Sequence, residues 1–146
     1  MVLIATRLGV IACRYLVEGY GEGRYISVPE IADKFSMNAR ALMPAMRQLV
    51  RVGLLRSRVG GNTPGFIFSK DPKDITLYQI LVALEGETRF VCCEELIPGL
   101  RCDCKDKTQC KFNSMFGGIM DGAILKLSSI SISDYANEKN NRSMCY

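Results

Sequence analysis

The hydrophobic repeat of this chain changes period at Gly53, and that change constrains the fold more than any other feature. Up to Val52 apolar residues recur at helical spacing. Beyond Gly53 they form two short strand-like runs, Leu54–Arg58 and Gly65–Ser69, separated by the glycine-rich Val59-Gly60-Gly61-Asn62-Thr63-Pro64. Directly before the change stand two helical segments joined by only Ser36-Met37-Asn38. The first opens at Ser27-Val28-Pro29-Glu30, which reads as a capping box. Ser27 caps, Glu30 reaches back, and Pro29 is tolerated in the first turn. Val28, Ile31, Ala32 and Phe35 form its inward side. Asn38 is a good N-cap for the second, predicted over Ala39 to Val52 with Leu42, Met46, Leu49 and Val50 inward and Gly53 as the C-cap glycine. Pro44 falls inside this helix. Its ring opposes the carbonyl of Arg40 at a cost of about 3 kcal/mol in a regular helix. A kink or an irregular first turn is therefore expected, re-aiming Arg40 and Met43.

The flanking segments complete the pattern. A first helix is predicted from Val2 to Val17, with Ile4, Leu8, Ile11, Ala12, Tyr15 and Leu16 on one face and Gly19, Gly21 and Gly23 ending it in a loop. After the second strand, Asp71 to Asp74 is a polar connection, and a helix runs from Ile75 to Glu85 with Leu77, Ile80, Leu81 and Leu84 apolar and Gly86 as its stop. The last long helix spans Phe112 to Leu127. Phe112, Met115, Phe116, Ile119, Met120, Ala123, Ile124 and Leu127 give it a continuous apolar stripe, too long for one side of a small domain to cover. The expected fold is mostly α: a winged helix-turn-helix with a two-stranded wing, plus a long C-terminal dimerisation helix. The expected division is 1–86 for the winged domain, 87–111 for a cysteine-rich sensor loop, 112–136 for the dimerisation helix and following segment, and 137–146 for a flexible tail.

Charge is distributed unevenly. The chain carries 19 Lys and Arg against 15 Asp and Glu. Residues 36–70 hold Arg40, Arg47, Arg51, Arg56, Arg58 and Lys70 and no acid, so the other 111 residues carry a net −2. The positive excess sits entirely on the second helix and the wing, the footprint of a face that neutralises phosphates. Asn38, Arg40 and Arg47 are the expected DNA contacts on the recognition helix, and Arg58, Gly60, Gly61 and Asn62 those on the wing, where glycine lets backbone approach the duplex. A solvated basic face used for protein contact is the plain alternative.

Of seven cysteines, five lie close together: Cys92, Cys93, Cys102, Cys104 and Cys110; Cys13 and Cys145 stand apart. No uncharged apolar run is long enough to span a membrane. Val10-Ile11-Ala12-Cys13 has the outline of a lipoprotein cleavage site, but Arg7 interrupts the apolar stretch a signal peptide needs. The expected compartment is the cytoplasm, where clustered cysteines suggest metal or redox chemistry. Their spacing fits paired zinc knuckles poorly. Iron–sulfur ligation and a thiol–disulfide switch both remain. Arg101, Lys105, Lys107 and Lys111 would favour reactive thiolates in the switch.

The stretches Ser57-Arg58-Val59-Gly60, Gly65-Phe66-Ile67-Phe68, Asp71-Pro72-Lys73-Asp74-Ile75-Thr76-Leu77 and Leu84-Glu85-Gly86 have a familiar form, as do Ile31-Ala32 and Leu49-Val50-Arg51-Val52-Gly53-Leu54-Leu55. In them the chain resembles the IscR/NsrR/RirA-type winged-helix regulators, over about residues 1–135. The resemblance implies a homodimeric transcription regulator on double-stranded DNA. It also implies an iron–sulfur cluster (2Fe–2S or 4Fe–4S) held by three cysteines before the dimer helix. Cys104 and Cys110 match the last two of that triad, and Cys93 the first. Cys102 or Cys92 are candidates for the fourth ligand, beside Asp103, Asp106 or an exchangeable small molecule. There are departures. Thr63-Pro64-Gly65 replaces the usual double glycine of the wing, and the first gap between ligands is longer. Neither Asn113 nor Arg7 and Leu8 supplies the family's usual fourth ligand.

The implied function is a regulator whose cluster senses iron, redox or nitric oxide status. A cluster-free regulator with a thiol switch or partner-protein control is the alternative. An interaction module or cluster carrier without DNA binding is the alternative from another class. An enzyme is not expected: with no histidine, no nucleophile–base pair can be drawn, and no phosphate-binding glycine loop precedes a helix.

Overall fold

The computed structural model of the chain describes residues 4–87, 97, 99–101 and 110–138. Helix α1 (Ile4–Gly21) lies at the centre, with three later helices and the second strand packed against it. Its buried residues are Thr6, Gly9, Ala12, Cys13, Tyr15, Leu16 and Gly19, whereas Ile4 is exposed. Leu8 and Ile11 of the expected face are only half-buried, and the small Gly9, Ala12 and Gly19 carry much of the buried face, because neighbouring segments approach closely there. The helix also runs past the expected stop at Gly19. A Cβ on Gly19 would stand 2.7 Å from the Ile26 Cδ1 and 2.8 Å from the Arg24 carbonyl. The chain doubles back under the helix there, closed by the Arg24 amide on the Gly19 carbonyl at 2.7 Å. Gly19 serves close approach rather than termination.

Helix α2 (Val28–Phe35) begins where Ser27 Oγ accepts from the Glu30 amide at 3.3 Å. The return half of the expected capping box is absent. Glu30 Oε1 instead accepts from the Tyr15 hydroxyl at 2.9 Å and from Arg24 Nη1 at 2.8 Å. The Arg24 guanidinium holds the Glu30 carboxyl below its ordinary range, while burial and the Glu30 bond push the Tyr15 phenol up. This side chain fastens α2 to α1, a tertiary use that wins over the local one.

Helix α3 (Ala39–Arg51) follows a turn in which Ser36 takes a left-handed φ of 52°. It buries Leu42, Ala45, Met46 and Leu49. The helix continues unbroken across Pro44. Arg40 and Pro44 both lie on its exposed side, where water can satisfy the carbonyl that proline leaves without an amide.

Strands β1 (Leu55–Arg58) and β2 (Gly65–Phe68) pair antiparallel with Leu55 opposite Phe68 and Arg58 opposite Gly65. A third segment joins them. Ile26, fully buried, exchanges both backbone hydrogen bonds with Phe66, at 3.0 and 2.8 Å. Gly65 makes this approach feasible. Its φ is +151°, and a Cβ there would lie 2.4 Å from the Ile26 carbonyl oxygen. Gly65→Ala is expected to cost about 2–4 kcal/mol, read as a loss of roughly 5–15 °C in Tm. An unchanged melting curve would mean that the third segment does not press on β2.

A 3-10 turn (Pro72–Asp74), capped by Asp71, leads to α4 (Leu77–Glu85). The helix starts after the expected Ile75 because Ile75 and Thr76 are extended. The Ile75 carbonyl accepts from the Ile132 amide at 2.8 Å, and Thr76 pairs with Ser131. Thr76 and Gln79 form a reciprocal capping box, at 3.1 Å in each direction. Ile80 and Ala83 are buried, while Leu77, Leu81 and Leu84 are half-buried. The long helix α5 (Lys111–Ser128) packs along α4 and buries none of its residues. After it, α6 (Ile132–Asn137) returns to pack against α1 through Ile132, Ser133 and Ala136, a contact the sequence pattern did not indicate. No helix among the described residues is long and apolar enough to cross a membrane.

Candidate nucleic-acid interface

Burial of Leu42, Ala45, Met46 and Leu49 fixes the rotation of α3. The stripe opposite carries Arg40, Pro44, Arg47 and Arg51, all exposed and spaced by three or four residues. Three guanidinium groups therefore project from one face of a helix that contains no acid. Arg51 donates through Nη2 to Gln48 Oε1, and Gln48 Nε2 donates to the Ala83 carbonyl at 2.9 Å. Arg51 belongs to the same surface as Arg40 and Arg47, although the sequence reading counted only its charge. Asn38 sits at the N-cap, where its Oδ1 accepts from the Arg40 amide at 2.9 Å. Its oxygen is committed to the helix, and only its amide nitrogen is left for a ligand.

The wing lies on the same side of the domain. Arg56, Ser57 and Arg58 are exposed along β1, and the tip from Val59 to Pro64 is exposed throughout. Gly60 and Gly61 take φ values of 79° and 77°, which fold the tip without side chains. The guanidinium of Arg58 sits 4.2 Å from the centroid of the Tyr25 ring, and its Nη1 donates to Thr63 Oγ1 at 3.5 Å. A cleft of about 510 Å³ separates α3 from the wing, with Met43, Val50 and Phe66 on its floor and Arg47 and Arg58 at its edges. Of the sequence-derived contacts, Arg47 on α3 and Arg58 on the wing line this one cleft, while Asn38, Arg40, Gly60, Gly61 and Asn62 lie outside its lining. Tyr25 was missed because it precedes the only residue of its segment that pairs with the wing.

The cysteines are seen in part. Cys93, Cys104, Cys102 and Cys92, like Asp103 and Asp106, lie outside the described residues. Cys110 is buried at the N-cap of α5, where its Sγ accepts from the Asn113 amide at 3.5 Å. Cys110 offers a soft sulfur donor of the kind an iron–sulfur cluster takes, at the junction of the cysteine segment and α5. Cys13 is fully buried in the core, and burial pushes its thiol up to about 12.

A family model described as Rrf2, iron-dependent transcriptional regulator, matches residues 4–138. YffB of Lactococcus lactis, which carries the description HTH-type transcriptional regulator, is 28% identical over 118 residues, 80% of this chain and 75% of that protein. Among solved structures, T. potens IscR superposes with a TM-score of 0.72 at 23% identity, covering 100% of this chain and 93% of its own. CymR, the global cysteine regulator of B. subtilis, gives a TM-score of 0.76 at 21% identity, covering 95% and 98%. These two likenesses establish the winged fold with its long C-terminal helix.

Proposed function

The chain belongs to the Rrf2 family of transcriptional regulators, and on that premise we propose that it works in the cytoplasm as a homodimer that binds specific double-stranded DNA under control of an iron–sulfur cluster. The observation that carries the DNA reading is the acid-free arginine stripe of α3, whose Arg47 shares one cleft with wing residue Arg58. Arg40, Arg47 and Arg51 supply the recognition helix's charge, Asn38 its N-terminal amide, and Arg58, Gly60, Gly61 and Asn62 the wing contact. The apolar face of α5 is the dimer interface. Phe112, Met115 and Ile119 are 59%, 68% and 67% exposed there, more than a lone small domain leaves contiguous.

Cys93, Cys104 and Cys110 are the proposed cluster ligands, with Cys102 or Cys92 as the fourth. When bound, the cluster supplies iron chemistry that responds to iron supply, oxidants or nitric oxide. The chain's own part is to carry that state to the DNA face. Gln48 supports such a link: it joins α3 to the last turn of α4, and the cysteine segment follows directly after Gly86. Two recognition helices in a dimer must match a groove spacing of about 34–36 Å. A small change at α4 or α5 would therefore alter affinity through differential binding of two conformations.

Salt dependence tests the DNA reading. With about 3–5 phosphate contacts per subunit, log K against log salt is expected to fall with a slope of about −5 to −9 for the dimer. Arg58→Ala is expected to reduce that slope by about 1–2. A flat dependence would remove the basis for the phosphate footprint.

A further inference from the structure

Resting on the DNA-binding reading above, we infer that Tyr25 is a positioning residue for DNA binding: its ring is a platform that holds the Arg58 guanidinium in place on the wing before DNA arrives. The local geometry builds this platform in three steps. Ile26 pairs with Phe66 through two backbone hydrogen bonds, so residues on either side of it run extended along the wing. Side chains alternate along an extended segment. Ile26 turns into the core at 0% exposure, and the half-buried Tyr25 therefore lies on the other face. On β1 the same alternation puts Leu55 inside, and the strand ends in the exposed Arg58. The residue opposite Arg58 in register is Gly65, which has no side chain to stand between the guanidinium and the ring.

The result is a centroid distance of 4.2 Å, well within cation–π range, with Thr63 Oγ1 accepting from Nη1 at 3.5 Å from across the hairpin. An arginine at the tip of a wing otherwise samples many rotamers, and binding must select one of them. Stacking on Tyr25 restricts that freedom in the unbound protein. It leaves the edge of the guanidinium, which carries the N–H donors, available for a phosphate or a groove edge. Tyr25 itself needs no contact with DNA.

The test uses the full chain and a duplex that the wild-type protein enriches from a random-sequence pool. Tyr25→Leu is expected to weaken binding about 2–5-fold per wing, or about 4–25-fold for a dimer with two wings. Tyr25→Phe keeps the ring and is expected to stay within about two-fold of wild type. The salt slope is expected to be unchanged in both, since Arg58 remains charged and still reaches DNA. The deciding measurement is the double-mutant cycle: in an Arg58→Ala background, Tyr25→Leu is expected to have no further effect. A loosened wing would weaken binding in that background as well, and such an additive loss overturns the inference. So does an equal loss in Tyr25→Phe, which would assign the effect to the hydroxyl. Arg58→Ala weakening binding while Tyr25→Leu does not also overturns it and leaves the DNA-binding reading intact. A wild-type protein that enriches no duplex overturns both.

Discussion

Ile119→Asp is expected to turn the proposed dimer into a folded monomer in sedimentation velocity and to lower operator affinity by about 100- to 10,000-fold, the avidity lost with the second half-site. Ile119 is 67% exposed on α5, amid Phe112, Met115 and Phe116, and none of the residues of that helix is buried within the chain. A two-fold interface presents the same patch from both subunits, so one substitution places two carboxylates in the contact. Each buried, unpaired charge costs about 3–5 kcal/mol, and no basic side chain of α5 lies near the centre of the stripe to offset it. The subunit itself should keep its helical circular dichroism, because the winged domain closes its core without α5. A dimer that survives the substitution would place the interface on another surface.

Protein prepared without oxygen is expected to absorb in the visible, and Cys93→Ala, Cys104→Ala or Cys110→Ala to bleach it. Cys110 is the proposed ligand whose surroundings are described, and its sulfur accepts a backbone amide at the start of α5. Cys13→Ala should leave the colour unchanged. Its thiol is enclosed by the core and stays protonated, with burial holding it up to about 12. Cys145→Ala is likewise expected to be silent, since that residue lies far along the chain from the other cysteines. Coloured and bleached forms should differ in operator affinity by about 5–150-fold, the usual span of coupling energies. Absorption and affinity measured on the same samples check both halves of the expectation. A colourless, iron-free protein after reconstitution would replace the cluster with a thiol switch.

Much of the architecture follows from local chemistry. Helix α3 was legible because Asn38 caps it, Leu42, Met46 and Leu49 repeat at helical spacing, and Gly53 takes the left-handed turn at its end with φ 81°. The wing was legible because β-type residues flank glycines that have to adopt positive φ. The basic footprint was legible because charge is carried by residue type alone. Fixing the buried face of α3 then sets which arginines share its outer stripe, and Arg51 joined Arg40 and Arg47 only once that rotation was known.

Other features depend on which distant segments meet. Glu30 has both a local partner at its own N-cap and distant ones at Tyr15 and Arg24. The charged, partly buried pair with Arg24 is the stronger interaction, and only the packing of α2 on α1 brings it within reach. Gly19 reads as a helix stop in sequence, yet the return of Ile26 beneath the helix makes it a contact point. The third segment of the wing is a single pairing between Ile26 and Phe66, too short to carry a strand pattern, and the placement of Tyr25 beneath Arg58 follows from it. Helix α6 is six residues long, less than two turns, so periodicity has little to act on; its position comes from docking on α1 and from the bonds between residues 75–77 and 130–132. Sequence by itself determined the elements whose signals lie within a few residues of one another: caps, turns, hydrophobic period and charge. The tertiary structure decided every feature in which a side chain or a glycine chooses between a near and a far partner, because that choice depends on distances that exist only after the chain has closed on itself.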